Sequence, residues 1–403
     1  MLTIDPWRSF QLFLLFMCAC APLCAVEHRG DRILAIDVSE ADDGNFVGAF
    51  ELARRIDMRQ IGISLDWSAI ETSPGVYDLW VFSTANSFYP AYGVGVCLTL
   101  RPAHTFTRTM PADLESVAFD DPAMAARFIA MVDAVMATMT QTQVDAIVVG
   151  SELDGVFGSD SAEWARYTSF YTTVAAHIHN TYPAVRVGAE VMYPAFTGSM
   201  GTELAALNGP SDIIAVSLYP IEGNYQAMAS NAVSGMMTTV VNATSKPIWF
   251  TQFGYPSDQL NGSSEVMQAD FITAAFSTWD ANAARIEMID FTWQHDRSPA
   301  QLAADLAFYG DLGEEFTAFL ASLGLRNYDN TDKLAWLRLA SEAGSRGWWA
   351  GRRLQLAVDP APPGGYAVHH ESLRWDLLDG GATFDFLQSA VDHTFSAHVP
   401  SDG

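Results

Sequence analysis

Short apolar runs alternate along most of this chain with longer stretches in which apolar positions recur every three or four residues. The runs fall at 33–38, 61–65, 94–100, 146–149, 185–191, 213–218, 247–251 and 286–292. Continuous apolar and β-branched sequence predicts strands buried on both faces, as in a parallel sheet. The stretches between them predict helices at 46–58, 122–138, 164–180 and 269–284, with closing helical segments at 316–323 and 334–341. Asp121 before Pro122 marks a clean helix start, a capping carboxylate followed by the residue best suited to a first turn.

Eight strands in strict alternation with helices predict an α/β fold, a (β/α)8 TIM barrel spanning 30–342. The alternative is a doubly wound open sheet, but no glycine-rich dinucleotide turn follows the first run. From about Gly344 the rhythm breaks at Gly347-Trp348-Trp349 and again at the Pro- and Gly-rich 360–365. Residues 343–403 therefore read as a poorly specified C-terminal tail, or alternatively as a small appendage packed around Trp348, Trp349 and Trp375.

Residues 1–25 have the pattern of a signal segment, with Arg8 ahead of the apolar run 10–17, which is too short to span a membrane as a mature helix. Met17-Cys18-Ala19-Cys20 resembles a degenerate lipoprotein box with Cys20 as the lipidated residue, and Leu23-Cys24-Ala25 would suit ordinary cleavage. The expected location is exported: periplasmic, extracellular or lipid-anchored at the cell surface. Three of the four cysteines lie in this segment, leaving Cys97 without a disulfide partner in the mature chain.

Charge narrows the partners. The chain carries 21 basic and 47 acidic residues, a formal net charge of −26, and only two lysines, Lys246 and Lys333. Nucleic acid and anionic membrane surfaces are poor partners for such a chain, so membrane contact is expected only through Cys20. A monomer without a cofactor is expected.

In a barrel of this kind, the residues at the C-terminal strand ends share one pocket. Here they are Asp37, Trp67, His104, Glu152, Glu190, Tyr219, Gln252, Trp293 and Asp296. Acids among aromatics, with few cations, suit sugars, whose flat C–H faces stack on rings while their hydroxyls seek polar groups. No glycine-rich cradle or basic cluster is present for phosphate, and no HxH or HExxH spacing marks a metal site. Glu71, Asp66 and Asp154 read as loop and helix-start acids. Glycoside hydrolysis needs two carboxyls flanking the scissile oxygen. Glu152 is placed to be the acid, but the seventh strand end, the natural opposite position, carries Gln252.

Several segments resemble clan A glycoside hydrolases. Trp67 through Tyr77 is similar to their second-strand signature, and Val149-Gly150-Ser151-Glu152 to their fourth-strand Gly-Asn-Glu. Thr251-Gln252-Phe253-Gly254-Tyr255-Pro256-Ser257 resembles the seventh-strand Thr-Glu-Phe-Gly-Tyr-Pro-Ser. Trp293 matches the eighth-strand tryptophan, and Lys333-Leu334-Ala335-Trp336 the closing Lys-Pro-Ala-Trp. The nearest likeness is to arabinogalactan endo-galactanase-like barrels, with β-mannanase-like barrels second.

The resemblance implies Glu152 as general acid/base, Ser151 in place of the asparagine that holds a sugar 2-hydroxyl, and Trp67, Tyr219 and Trp293 around the sugar, where the strand-end position also puts His104 as a candidate substrate-binding residue. It also implies a nucleophile at position 252, where a carboxamide is neutral and a poor nucleophile. Glu190 is the alternative base, with inversion if the carboxyls stand roughly 6.5–9.5 Å apart, and Asp296 is a further candidate. Two functions follow. One is an exported hydrolase of a β-linked poly- or oligosaccharide; the other is a catalytically inactive carbohydrate-binding barrel.

Overall fold

The structure is a computed structural model and describes residues 29–310 and 312–348. The expected signal segment with Cys20, and the tail residues Trp349 and Trp375, lie outside the described residues. Eight parallel strands form the barrel: β1 (Ile33–Ile36), β2 (Gln60–Asp66), β3 (Gly95–His104), β4 (Val144–Ser151), β5, β6 (Ile214–Leu218), β7 (Ile248–Phe253) and β8 (Ile286–Phe291). β5 is in two pieces, Arg186–Gly188 and Glu190–Met192, broken at Ala189. The first piece pairs with β4 and the second with β6, so this one strand closes the ring. This is the (β/α)8 architecture that the alternation of apolar runs predicted.

The helices pack outside the ring. Pro122–Thr138 occupies the predicted span, with the Asp121 side chain accepting from the Ala123 backbone N–H at 2.8 Å. Ser161–Thr181 starts three residues earlier than the periodicity suggested, because Asp160 caps it through the Ala162 and Glu163 N–H groups. The last helix, Leu334–Ser345, lies against Glu265–Ala281. The predicted barrel end at 342 falls inside this helix and is corrected to at least Trp348. Trp348 is buried against Phe276 and Trp279, and Arg346 holds the same corner by pairing with Asp280. Among the described residues no helix is long and apolar enough to cross a membrane.

Two features shape the mouth. β3 runs on through His104 and folds back on Thr107–Arg108, carrying Arg101 and His104 over the rim. Between β8 and the last helix, Pro299–Tyr309 and Glu314–Ala321 are inserted, and Phe316, Phe319, Leu320 and Leu323 pack there with Tyr219, Trp293 and Tyr309. Inside the ring, Ala35, Cys97, Ala146, Val148, Ala215, Trp249 and Met288 form a thin apolar layer with several small members. At the N-terminal strand ends the bore is plugged by polar pairs, Gln60 with Asp145 at 2.7 Å and Arg186 with Glu287.

Candidate active site

β4 ends in a sharp turn. Gly150 sits at φ 78°, and a side chain there would collide with Tyr167 and Leu153; Glu152 follows at φ 51°. A positive φ is costly for a residue with a Cβ and needs surrounding contacts to hold it. For Glu152 those contacts are two hydroxyls, with Thr105 Oγ1 donating to Oε2 and Ser217 Oγ to Oε1, each at 2.7 Å. The strand end thus fixes this carboxylate against β3 and β6, buried at 8 % exposure.

Glu190 is buried further, at 1 % exposure. Its Oε2 accepts from Ser151 Oγ at 2.5 Å and from Gln252 Nε2 at 3.0 Å, and its Oε1 accepts from Thr251 Oγ1 at 2.5 Å. Gln252 also donates to Ser151 Oγ at 3.2 Å, while its Oε1 accepts from the Tyr219 hydroxyl at 3.1 Å. The amide at 252 satisfies both neighbours at once, donating to Glu190 and accepting from Tyr219, whereas a carboxylate there would meet an ionised Glu190 with no donor. Burial, and then the nearby Glu152 charge, push the Glu190 carboxyl up to about 7, although its three donors pull the other way. Asp154, expected as a helix-start acid, accepts from the Met192 N–H at 2.7 Å and ties β4 to β5; burial pushes it to about 7 as well.

A cavity of about 430 Å³ opens beside this cluster. Thr251 and Gln252 line it, whereas Glu152 and Glu190 do not. His104, Trp293, Phe308 and Tyr309 supply its aromatic wall. His104 stacks on Phe308 at 4.7 Å, and burial together with Arg101 lowers its pKa to about 3, so it stays neutral. Arg297 lies over the Trp293 ring, 3.4 Å from the centroid, and pairs with Asp305 at 2.9 Å. Arg101 pairs with Asp66 at 2.7 Å. Both cavity arginines are thus neutralised by the protein itself.

The structure brings Ser151, Glu190, Tyr219 and Gln252 into one hydrogen-bonded cluster, with Glu152 near it but held separately by Thr105 and Ser217, and with His104 and Trp293 on the cavity wall. Two expectations are corrected. Trp67 does not face the cavity: it is fully buried, edge-on to Phe128, with its indole N–H donating to Glu71 at 2.8 Å. Asp296 is not poised as a base, because it is the ion partner of buried Lys333 at 2.6 Å. Glu71 accepts from Trp67, from the Gly75 N–H and from Arg127, so it organises the loop after β2. Glu71→Gln is expected to lower stability by about 2 kcal/mol in urea unfolding without changing ligand affinity, because it removes the buried anion facing Arg127.

Arg297, Phe308 and Tyr309 escaped the sequence reading. They belong to the β8 insertion, whose helix had a legible start: Ser298 and Gln301 form a capping box around Pro299. Asp290 also escaped, since it sits inside an apolar strand run.

No family model matches the sequence, and no curated protein matches it. Solved structures share the fold. An exo-β-1,4-mannosidase from Opitutaceae bacterium strain TAV5 superposes with a TM-score of 0.62 at 16% identity, covering 78% of this chain and 59% of that one. This chain therefore spans less than two thirds of that mannosidase. A GH5_18 protein from Streptomyces cattleya in complex with Manβ1-4GlcNAc gives 0.59 at 13% identity, covering 79% and 81%. The GH53 catalytic domain of Ignisphaera aggregans gives 0.54 at 13% identity, covering 80% and 98%. The structural neighbours are thus clan A mannosidases and other glycoside hydrolases with the TIM-barrel fold.

Proposed function

We propose that this protein binds a neutral β-linked saccharide in the mouth cavity and does not hydrolyse it. The observation that carries this reading is Gln252, hydrogen-bonded between Glu190 and Tyr219 where clan A chemistry calls for a carboxylate nucleophile. Glu190 cannot fill the gap as a water-activating base. It lies behind Thr251 and Gln252, and both its oxygens are already taken by donors. The aromatic wall beside hydrogen-bonding groups supports a sugar as ligand. A neutral sugar is favoured because an anionic one would have to break the Arg101–Asp66 and Arg297–Asp305 pairs to gain a cation. The signal pattern of residues 1–25 supports an exported location, with Cys20 as the anchor if the lipoprotein box is used.

The second reading, a hydrolase with Glu152 as general acid/base, is favoured by the two hydroxyls that hold that carboxylate in place. Calorimetry with Manβ1-4GlcNAc, β-1,4-mannobiose, cellobiose and β-1,4-galactobiose, alongside reducing-end assays, separates the two. Saturable binding with no sugar released is expected. Turnover by wild type that disappears in Glu152→Gln would establish the hydrolase and overturn the binding-only reading.

A further inference from the structure

We propose that the lower part of the cavity is a blind subsite for the hydroxyl-bearing end of a saccharide's terminal ring, with Asp290 on β8 as its recognition residue. The proposal rests on the carbohydrate-binding reading and adds where the ligand's end goes. Barrel bores are ordinarily filled by layers of bulky branched side chains. Here β2 and β3 present Gly62, Ser64, Cys97 and Thr99 to the cavity, and the bore stays open down to the thin layer that Cys97 shares with Ala35 and Met288. Gly62 is part of the arrangement, since a Cβ there would stand 3.1 Å from Asp290 Oδ2.

Asp290 lines this well at 5 % exposure, and its buried Oδ1 has no hydrogen-bond partner among the described residues. Its charged neighbours are Asp37 and Glu190, both acids. Burial and these two neighbours push the carboxyl well above its usual range, which favours the protonated form, with an O–H to donate and a carbonyl oxygen to accept. A sugar hydroxyl offers the complement of both, and a buried polar group without a partner gains most when one arrives. The ligand therefore enters end-on, against the aromatic wall above and the neutral carboxyl below.

Calorimetry with β-1,4-mannobiose and cellobiose on wild type, Asp290→Asn, Asp290→Leu and Gly62→Val tests this, with thermal melts reporting folding. Asn keeps a neutral donor and acceptor, so affinity within about threefold of wild type is expected. Leu removes both groups and Val fills the well, and each is expected to weaken binding about tenfold or more. Because Gly62→Val keeps the Asp290 side chain while crowding it and the well, the test survives if Asp290→Leu does not fold. Wild-type affinity in Gly62→Val, or in a folded Asp290→Leu, would overturn the deep subsite and leave carbohydrate binding standing. A tenfold loss in Asp290→Asn would overturn the neutral-donor role. Absence of binding by wild type to either disaccharide and to the rest of the panel would overturn the carbohydrate reading together with the subsite.

Discussion

Gln252→Glu is expected to give glycoside hydrolysis roughly hundredfold above the wild-type background, the scale on which one positioned carboxyl group contributes to such chemistry. The new carboxyl lies against Glu190, at the position from which Gln252 Nε2 now donates over 3.0 Å. Two carboxyls at that distance hold one proton between them, and the more deeply buried group keeps it. Glu190 is that group, already pushed to about 7, so position 252 carries the negative charge with the Glu190 O–H and the Tyr219 O–H donating to it. The single variant should therefore lose stability on the alkaline side, where the shared proton leaves and two anions face each other.

The exchange Gln252→Glu with Glu190→Gln separates the two effects. It restores an amide opposite a carboxylate, with the order reversed, and should keep the activity while removing the alkaline loss. Release of reducing ends from an aryl β-glycoside panel, with melts from pH 6 to 9, reads both. An exchange variant that folds like wild type but releases no sugar would show that Glu152 is also out of reach of the scissile oxygen. The protein would then be further from an enzyme than one lost nucleophile.

How far the sequence led depends on what each residue's neighbours are. The strands were legible to within a few residues because sheets covered on both faces demand unbroken apolar runs. β3 is the exception: its extension through Arg101-Pro102-Ala103-His104 is held by a hairpin rather than by burial alone, and the polar residues hid it. Glu152, Gln252 and Trp293 could be placed because a strand end is a definite position in a barrel. Trp67 stands at an equivalent position and was misplaced, since an indole after a strand reads the same whether it turns to the cavity or to the helices. What decided it was Glu71, one helical turn on, which accepts the indole N–H. Glu190 was expected at the fifth strand end on the shared pocket, but it opens the second piece of β5 and does not line the cavity; the three donors that occupy it come from β4 and β7, and no local pattern announces them. Asp290 shows the same limit from the other side. In the sequence it is one polar residue in an apolar strand, and only the small residues on β2 and β3 leave space in front of it.

Glu190 is also expected to make the folded protein lose stability as pH rises from about 4.5 to about 7. In the unfolded chain this carboxyl has its ordinary value of 4.5, and in the fold burial and Glu152 raise it to about 7. Below 4.5 both states hold the proton and the favourable contribution is complete. Between the two values the unfolded chain has released a proton that the fold retains, so stability falls as pH rises; above 7 both states are ionised and the contribution is gone. A gap of about 2.5 between the two values corresponds to roughly 3 kcal/mol. Asp154 acts in the same direction toward about 7, and Asp296 toward about 6. His104 acts oppositely: lowered from 6.5 to about 3, it withdraws stability as pH falls through that range. The raw curve therefore mixes signs, and the difference between wild type and Glu190→Gln isolates one group. Glutamine has no proton to exchange, so its altered hydrogen bonding adds an offset but no slope. Urea unfolding at half-unit intervals from pH 4 to 8 should show wild type losing roughly 3 kcal/mol relative to the variant, mostly between 4.5 and 7. Parallel curves would mean that Glu190 is ionised throughout, held by Ser151, Thr251 and Gln252 more strongly than burial opposes it. The cluster would then hold a permanent anion behind the cavity, and Gln252 would be fixed by a full charge at every working pH.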